Sequence, residues 1–122
     1  MSALLAVALL VPCVALDGDT LRCGEERIRL IAIDAPELPG HCRRGRTCAP
    51  GDPFASHRAL TAALRRGPLT IVRVRKGAWG RTDADVYVAG RSLSCTQLAG
   101  GHAIYWARYD YRQRIRAQCH LP

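Results

Sequence analysis

Three short segments carry side chains that can act on a phosphate ester: Asp17-Gly18-Asp19-Thr20, the nine residues from Arg29 to Glu37, and Trp79-Gly80-Arg81-Thr82. They supply carboxylates (Asp19, Asp34, Glu37) and guanidiniums (Arg29, Arg81) at strand ends and loop starts. Carboxylate oxygens are hard ligands that suit Mg²⁺ or Ca²⁺. A further carboxylate can take a proton from water, and arginine forks match a phosphate that is gaining charge. Phosphodiester hydrolysis requires that set. Taken singly, each segment has an equally good structural explanation: an Asx turn, a strand ending in a Pro turn, and a hairpin corner.

The surrounding sequence predicts the elements that hold these groups. Val11 to Asp17 and Leu21 to Cys23 flank the Asp-Gly turn as a hairpin. Arg27 to Leu30 alternates, and Ile31-Ala32-Ile33 then runs apolar, as a strand does on entering a core. Residues 34–52 turn to Pro, Gly, Arg and Cys, a long loop of the kind that is usually functional or cross-linked. Asp52 is a natural N-cap with Pro53 at the first helical position, and Gly67-Pro68 should stop the helix. Ala55, Ala59, Leu60, Ala63 and Leu64 form its apolar stripe, most simply a core face. Leu69 to Arg75 and Arg81 to Val88 are predicted strands, with a tight turn at Ala89-Gly90. Ser94 to Gln97 has capping-box form and should open a short helix that ends at Gly100-Gly101. The tail from Arg108 to Arg116 is expected to be helical. The order predicts an α+β, mostly β fold: a small five-stranded OB barrel with two to three helices.

A chain of 122 residues is one domain, and 48% apolar content excludes a disordered tail. Eighteen Lys and Arg against ten Asp and Glu leave a net charge of +8, which attracts polyanions by counterion release. Six cysteines with no C-x-x-C pair argue against zinc and for disulfides in an oxidising compartment. Six cysteines allow fifteen pairings, and sequence alone does not choose among them. Cys42 and Cys48 are separated by a short Gly-containing loop and are expected to join. Cys13 and Cys23 flank the hairpin turn, which leaves Cys95 with Cys119 by elimination.

Ala3 to Val11 is a small-apolar run like the core of a signal peptide and too short to span a bilayer. No basic residue precedes it, so the expectation for 1–12 is a shortened signal-like segment or a lead-in to the first strand. Export is expected, to the outside or the periplasm, with no membrane anchor and a monomeric state.

In combination and in this order, the three segments resemble the staphylococcal nuclease (thermonuclease) family. Its signature is a D-G-D-T turn, then R-x-x-x-x-D-[AT]-P-E, then a [YW]-G-R strand entry. The resemblance covers about Val14 to Tyr105, within a domain spanning 13–122. The helix at Pro53, the Leu93–Leu98 segment and Gly101-His102-Ala103 also fall where the family has helices and a glycine. It implies a calcium-dependent nuclease that cuts DNA and RNA with little sequence preference and leaves 3′-phosphates. Asp19 and Asp34 would bind Ca²⁺ directly, and Ala35 would add its backbone carbonyl, where the family often has Thr. Asp17 would orient the site from behind. Glu37 would be the general base, and Arg29 and Arg81 would hold the phosphate and stabilise its five-coordinate transition state. The rival reading is a non-catalytic nucleic-acid-binding OB domain, against which the intact acid-and-arginine set argues. A small secreted disulfide scaffold, such as an inhibitor, leaves that set unexplained.

Two departures from the family pattern stand out. An insert over 40–48 carries Arg43, Arg44 and Arg46, which either grip substrate phosphates or keep the loop solvated. Asp83 and Asp85 stand where the family usually has apolar residues, on one strand face with Arg81. Asp83 there either restrains Arg81 or faces solvent. His41, His57, His102 and His120 lack paired spacing and are expected at the surface or in packing. Tyr105, Trp106 and Tyr109 are assigned to capping a core rather than to base stacking.

Overall fold

A computed structural model describes residues 12–122, so the apolar run Ala3 to Val11 lies outside the described residues. Eight strands occur among them: β1 Cys13–Ala15, β2 Thr20–Cys23, β3 Glu26–Leu30, β4 Ile33–Asp34, β5 Leu69–Lys76, β6 Thr82–Val88, β7 Arg91–Ser92 and β8 Ile104–Tyr105. Three α-helices join them: α1 Pro53–Leu64, α2 Leu93–Ala99 and α3 Arg114–Gln118. The fold is α+β and mostly strand, with a curled sheet.

The main sheet runs β1-β2-β3-β6-β5, with β7 added to β6. The hairpin β1–β2 pairs Cys13 with Cys23 across its open end, and a disulfide joins them. β3 and β6 pair in parallel, with Ile28 opposite Thr82 and Arg29 opposite Asp83. That register matters for the site, because it sets Asp83 beside Arg29 and brings Arg81, one residue before β6, level with Arg27. After β3 the chain does not continue straight. Ala32 adopts a left-handed φ of 66°, and β4 pairs with β8 in a separate two-stranded sheet. The main sheet gives five strands in one hydrogen-bonded path, and no pairing of β1 with β5 closes that path among the described residues.

Alternation sorts the strand residues as expected. Leu21, Ile28, Leu30, Ile33, Val86 and Leu93 bury themselves against Leu60 and Ala63 of α1. At about 1.5–3 kcal/mol for each large side chain, this cluster is the main stabilising force. Ile31, Ala32, Cys95 and Ile115 form a smaller core under the C-terminal segment. There the third disulfide, Cys95–Cys119, ties α3 to α2.

Helix α1 begins as its sequence predicts: the Asp52 side chain accepts from the Phe54 and Ala55 amides, and Pro53 leads the first turn. It stops at Arg65, ahead of Gly67. Its buried face includes Ser56 as well as Leu60 and Ala63. The hydroxyl is tolerated because it donates to the His102 carbonyl at 2.7 Å. Gly18 crosses directly above it, and a Cβ there would lie 1.8 Å from Ser56 Oγ. Only glycine lets the Asp17–Asp19 turn approach α1 this closely. Buried Gln97 of α2 fastens the same spot by donating to the Gly18 and Ser56 carbonyls.

Two local expectations need correction. The capping box at Ser94 does not form. The helix starts earlier, with Ser92 as N-cap, and buried Ser94 donates to the Ile31 carbonyl instead. The stretch 108–116 is not one helix, because Arg112 and Gln113 take positive φ and only Arg114 to Gln118 coil as α3. Asp110 anchors that turn by accepting from the Ile115 and Arg116 amides, both at 2.9 Å.

Candidate functional site

The turn before β2, the end of β3, the loop after β4 and the start of β6 meet around a cavity of about 460 Å³. Asp17, Asp19, Arg29, Glu37 and Arg81 all line it. Asp34 and Ala35 lie buried, at 6% and 2% exposure, and reach the site through Arg29 and Asp19.

Asp19 is the most constrained of these groups. Its Oδ2 accepts from the Ala35 amide at 2.8 Å and pairs with Arg29 Nη1 at 3.1 Å, while its Oδ1 accepts from the Thr20 hydroxyl at 3.0 Å. Asp17 accepts from the Asp19 amide at 2.9 Å, which holds the turn in shape. Burial pushes the Asp19 carboxyl up to about 6, against the pull of Arg29 and with a further push from Asp17. Burial likewise raises Asp34, against the pull of Arg46. In both, burial outweighs the neighbouring guanidiniums.

Arg29 joins the two, with Nη2 at 3.6 Å from Asp34 Oδ1. Two buried carboxylates thus meet at the Arg29 guanidinium, each through a different nitrogen. No cluster of three or more His, Cys, Asp or Glu side chains suited to a metal occurs among the described residues. A hard cation held by Asp19 and Asp34 would complete its shell with main-chain carbonyl, water or phosphate oxygens, and the all-oxygen donors fit Ca²⁺. Ala35 presents its amide to Asp19.

Arg81 and Asp83 form a second group. Asp83 is 6% exposed, so it does not face plain solvent. It lies between Arg81 Nε at 3.7 Å and Arg75 Nε at 3.8 Å, and it accepts from the Tyr111 hydroxyl at 3.3 Å. The two arginine contacts are too long for hydrogen bonds, and Arg81 Nε and Asp83 Oδ1 are both buried without one. Asp85, on the same strand face, serves the C-terminal segment instead, through Arg114 and Gln118.

Sequence reasoning did not single out Arg46. Its Nη2 lies 3.1 Å from Asp34 Oδ1 and its Nη1 lies 3.1 Å from Glu37 Oε1. Nothing in its spacing distinguishes it from Arg43 and Arg44. The Cys42–Cys48 bridge closes its loop, and the three disulfides join the expected pairs, Cys95 with Cys119 having been reached only by elimination. The aromatic assignment holds only for Tyr105, which packs on the smaller core. Trp106 and Tyr109 meet edge to face at 4.3 Å and line the cavity, because the Trp106 amide and Tyr109 carbonyl strap this segment onto Ala32. Trp79, 86% exposed, stands at the rim with Arg43 over its ring. His57 bonds the Ala15 carbonyl at 2.8 Å, and His41 is exposed at the cavity, a packing and a surface position as expected.

A scan against protein-family models finds no match to this chain, and a search of curated proteins finds none either.

Proposed function

We propose that the protein is a calcium-dependent nuclease of the staphylococcal nuclease type, hydrolysing phosphodiester bonds in DNA and RNA with little sequence preference. One observation carries the reading: Asp19 and Asp34 converge on Arg29 beside a cavity that Glu37 and Arg81 also line. The resemblance of the three segments to that family and the net charge of +8 support it. The closed five-stranded OB barrel and export belong to the same reading, and three disulfides are compatible with an oxidising destination.

In this reading Asp19, Asp34 and the Ala35 carbonyl hold the cation, and Asp17 keeps Asp19 turned toward it. Bound calcium would neutralise phosphate charge and hold the attacking water. Glu37 takes that water's proton. Arg29 and Arg81 bind the phosphate and stabilise the charge that gathers on its oxygens in the five-coordinate transition state. The direct test is cleavage of DNA and RNA in calcium against cleavage in chelator. Binding without cleavage would favour a non-catalytic OB module.

Asp83 supplies a sharper prediction. Its carboxylate competes with phosphate for Arg81, so Asp83→Leu should raise activity at limiting Ca²⁺ without lowering the melting temperature. Rates measured against free calcium decide it, and an unchanged or lower rate would show that Asp83 does not restrain Arg81.

A further inference from the structure

The insert over 40–48 brings Arg43 and Arg46 to the cavity and leaves Arg44 off it. Arg43 lies over the Trp79 ring at 5.9 Å, and Arg44 makes no ion pair among the described residues. Arg46 instead splits its guanidinium between two acids nine and twelve residues earlier, Glu37 and Asp34. Solubility alone does not require that aim.

We propose that Arg46 is a tethered counter-cation, which competes with the divalent ion for Asp34 while its other nitrogen holds Glu37, and so sets the calcium concentration at which the site fills. The inference rests on the calcium reading above. Asp34 Oδ1 already lies 3.6 Å from Arg29, so Arg46 brings a second guanidinium to one buried oxygen. A calcium ion needs that oxygen at about 2.3–2.6 Å and would repel both guanidiniums. Arg46, which reaches Asp34 from the loop and keeps Glu37 as a second partner, can swing away from that oxygen.

Two features keep Arg46 within reach. The Cys42–Cys48 bridge and the turn from the Arg46 amide to the Arg43 carbonyl close the loop locally. The Trp106 ring, 5.6 Å from the guanidinium, walls one side. A short closed tether holds a competing group at high effective concentration. Its side chain is 35% exposed, so the pairing is weak enough for a divalent ion to displace.

Calorimetric titration of calcium into the chelator-stripped full chain, at about 0.15 M salt to screen distant charges, tests this. Arg46→Gln should bind calcium roughly fivefold more tightly, the equivalent of losing one half-exposed ion pair. Arg46→Lys, which keeps the charge but loses the fork, should fall between it and wild type. Arg44→Gln should bind like wild type. The double variant Cys42→Ser/Cys48→Ser should shift in the same direction as Arg46→Gln but less, and no shift there would overturn the tether. Circular dichroism confirms that each variant is folded. Unchanged or weaker binding by Arg46→Gln, or an equal gain in Arg44→Gln, overturns the inference while leaving the calcium reading intact. If neither wild type nor Arg46→Gln binds calcium, both fall together.

Discussion

Glu37→Gln should slow phosphodiester hydrolysis by about two decades or more while the protein stays folded. General-base assistance contributes that much, and the amide cannot take the proton. The fold should tolerate the change, since Glu37 sits at the cavity wall with Arg46 as its partner and an amide oxygen can still accept that hydrogen bond. Arg81→Ala should cost a similar factor by removing a charge stabiliser. Its Nε makes no hydrogen bond that truncation would break. Single-turnover rates at saturating calcium, with melting curves alongside, check both. A wild-type rate in Glu37→Gln would place the base elsewhere, and a wild-type rate in both would remove the catalytic reading.

The largest stability effect should come from a residue outside the cavity. Asp85 is fully buried and accepts from Ser92 Oγ, Tyr87 Oη, Arg114 Nε and Gln118 Nε2, all within 2.8 Å. Burial pushes its carboxyl up, but these donors, Arg114 foremost, outweigh burial and hold it below the usual carboxylate range. It therefore stays charged and clamps α3 onto β6. Asp85→Ala strands those donors and should cost on the order of 3 kcal/mol. For a domain this size that lowers the melting temperature by roughly 10 °C. The sign of the pH dependence follows from the depressed value. Wild type has this stabilisation above the ordinary carboxylate range and loses it as pH falls through the lowered one. The gap between wild type and Asp85→Ala should then narrow in acid. A gap that is small at neutral pH would mean that the Cys95–Cys119 bridge and Ile115 hold the segment without Asp85.

Much of the positioning was legible because local chemistry and fold agree. The hairpin about Gly18, the Asp52 cap of α1 and the strands after Leu69 all form as predicted. Alternation alone placed Asp83 and Asp85 on one face. What sequence missed depends on contacts across the chain. Ala32 has no local reason to take a left-handed φ, and it does so where Trp106 and Tyr109 strap onto its backbone. That kink sends β4 to β8 rather than along one continuous ladder. Ser94 and Gln97 match a capping box by spacing, yet both are buried, and long-range carbonyls claim their side chains. At the site, motif order singled out seven residues, of which Asp17, Asp19, Arg29, Glu37 and Arg81 line the cavity while Asp34 and Ala35 lie buried behind it. Arg46 was not among them, because three arginines in one loop look alike until the fold aims one of them.

The most direct measurement is single-turnover cleavage of one labelled deoxyoligonucleotide by chelator-stripped protein, followed as calcium is restored. No product should form before calcium is added, and cleavage should begin on its addition. Cleavage that proceeds unchanged in chelator would contradict the assigned role of Asp19 and Asp34. An oligonucleotide that binds but stays whole at saturating calcium would contradict catalysis itself.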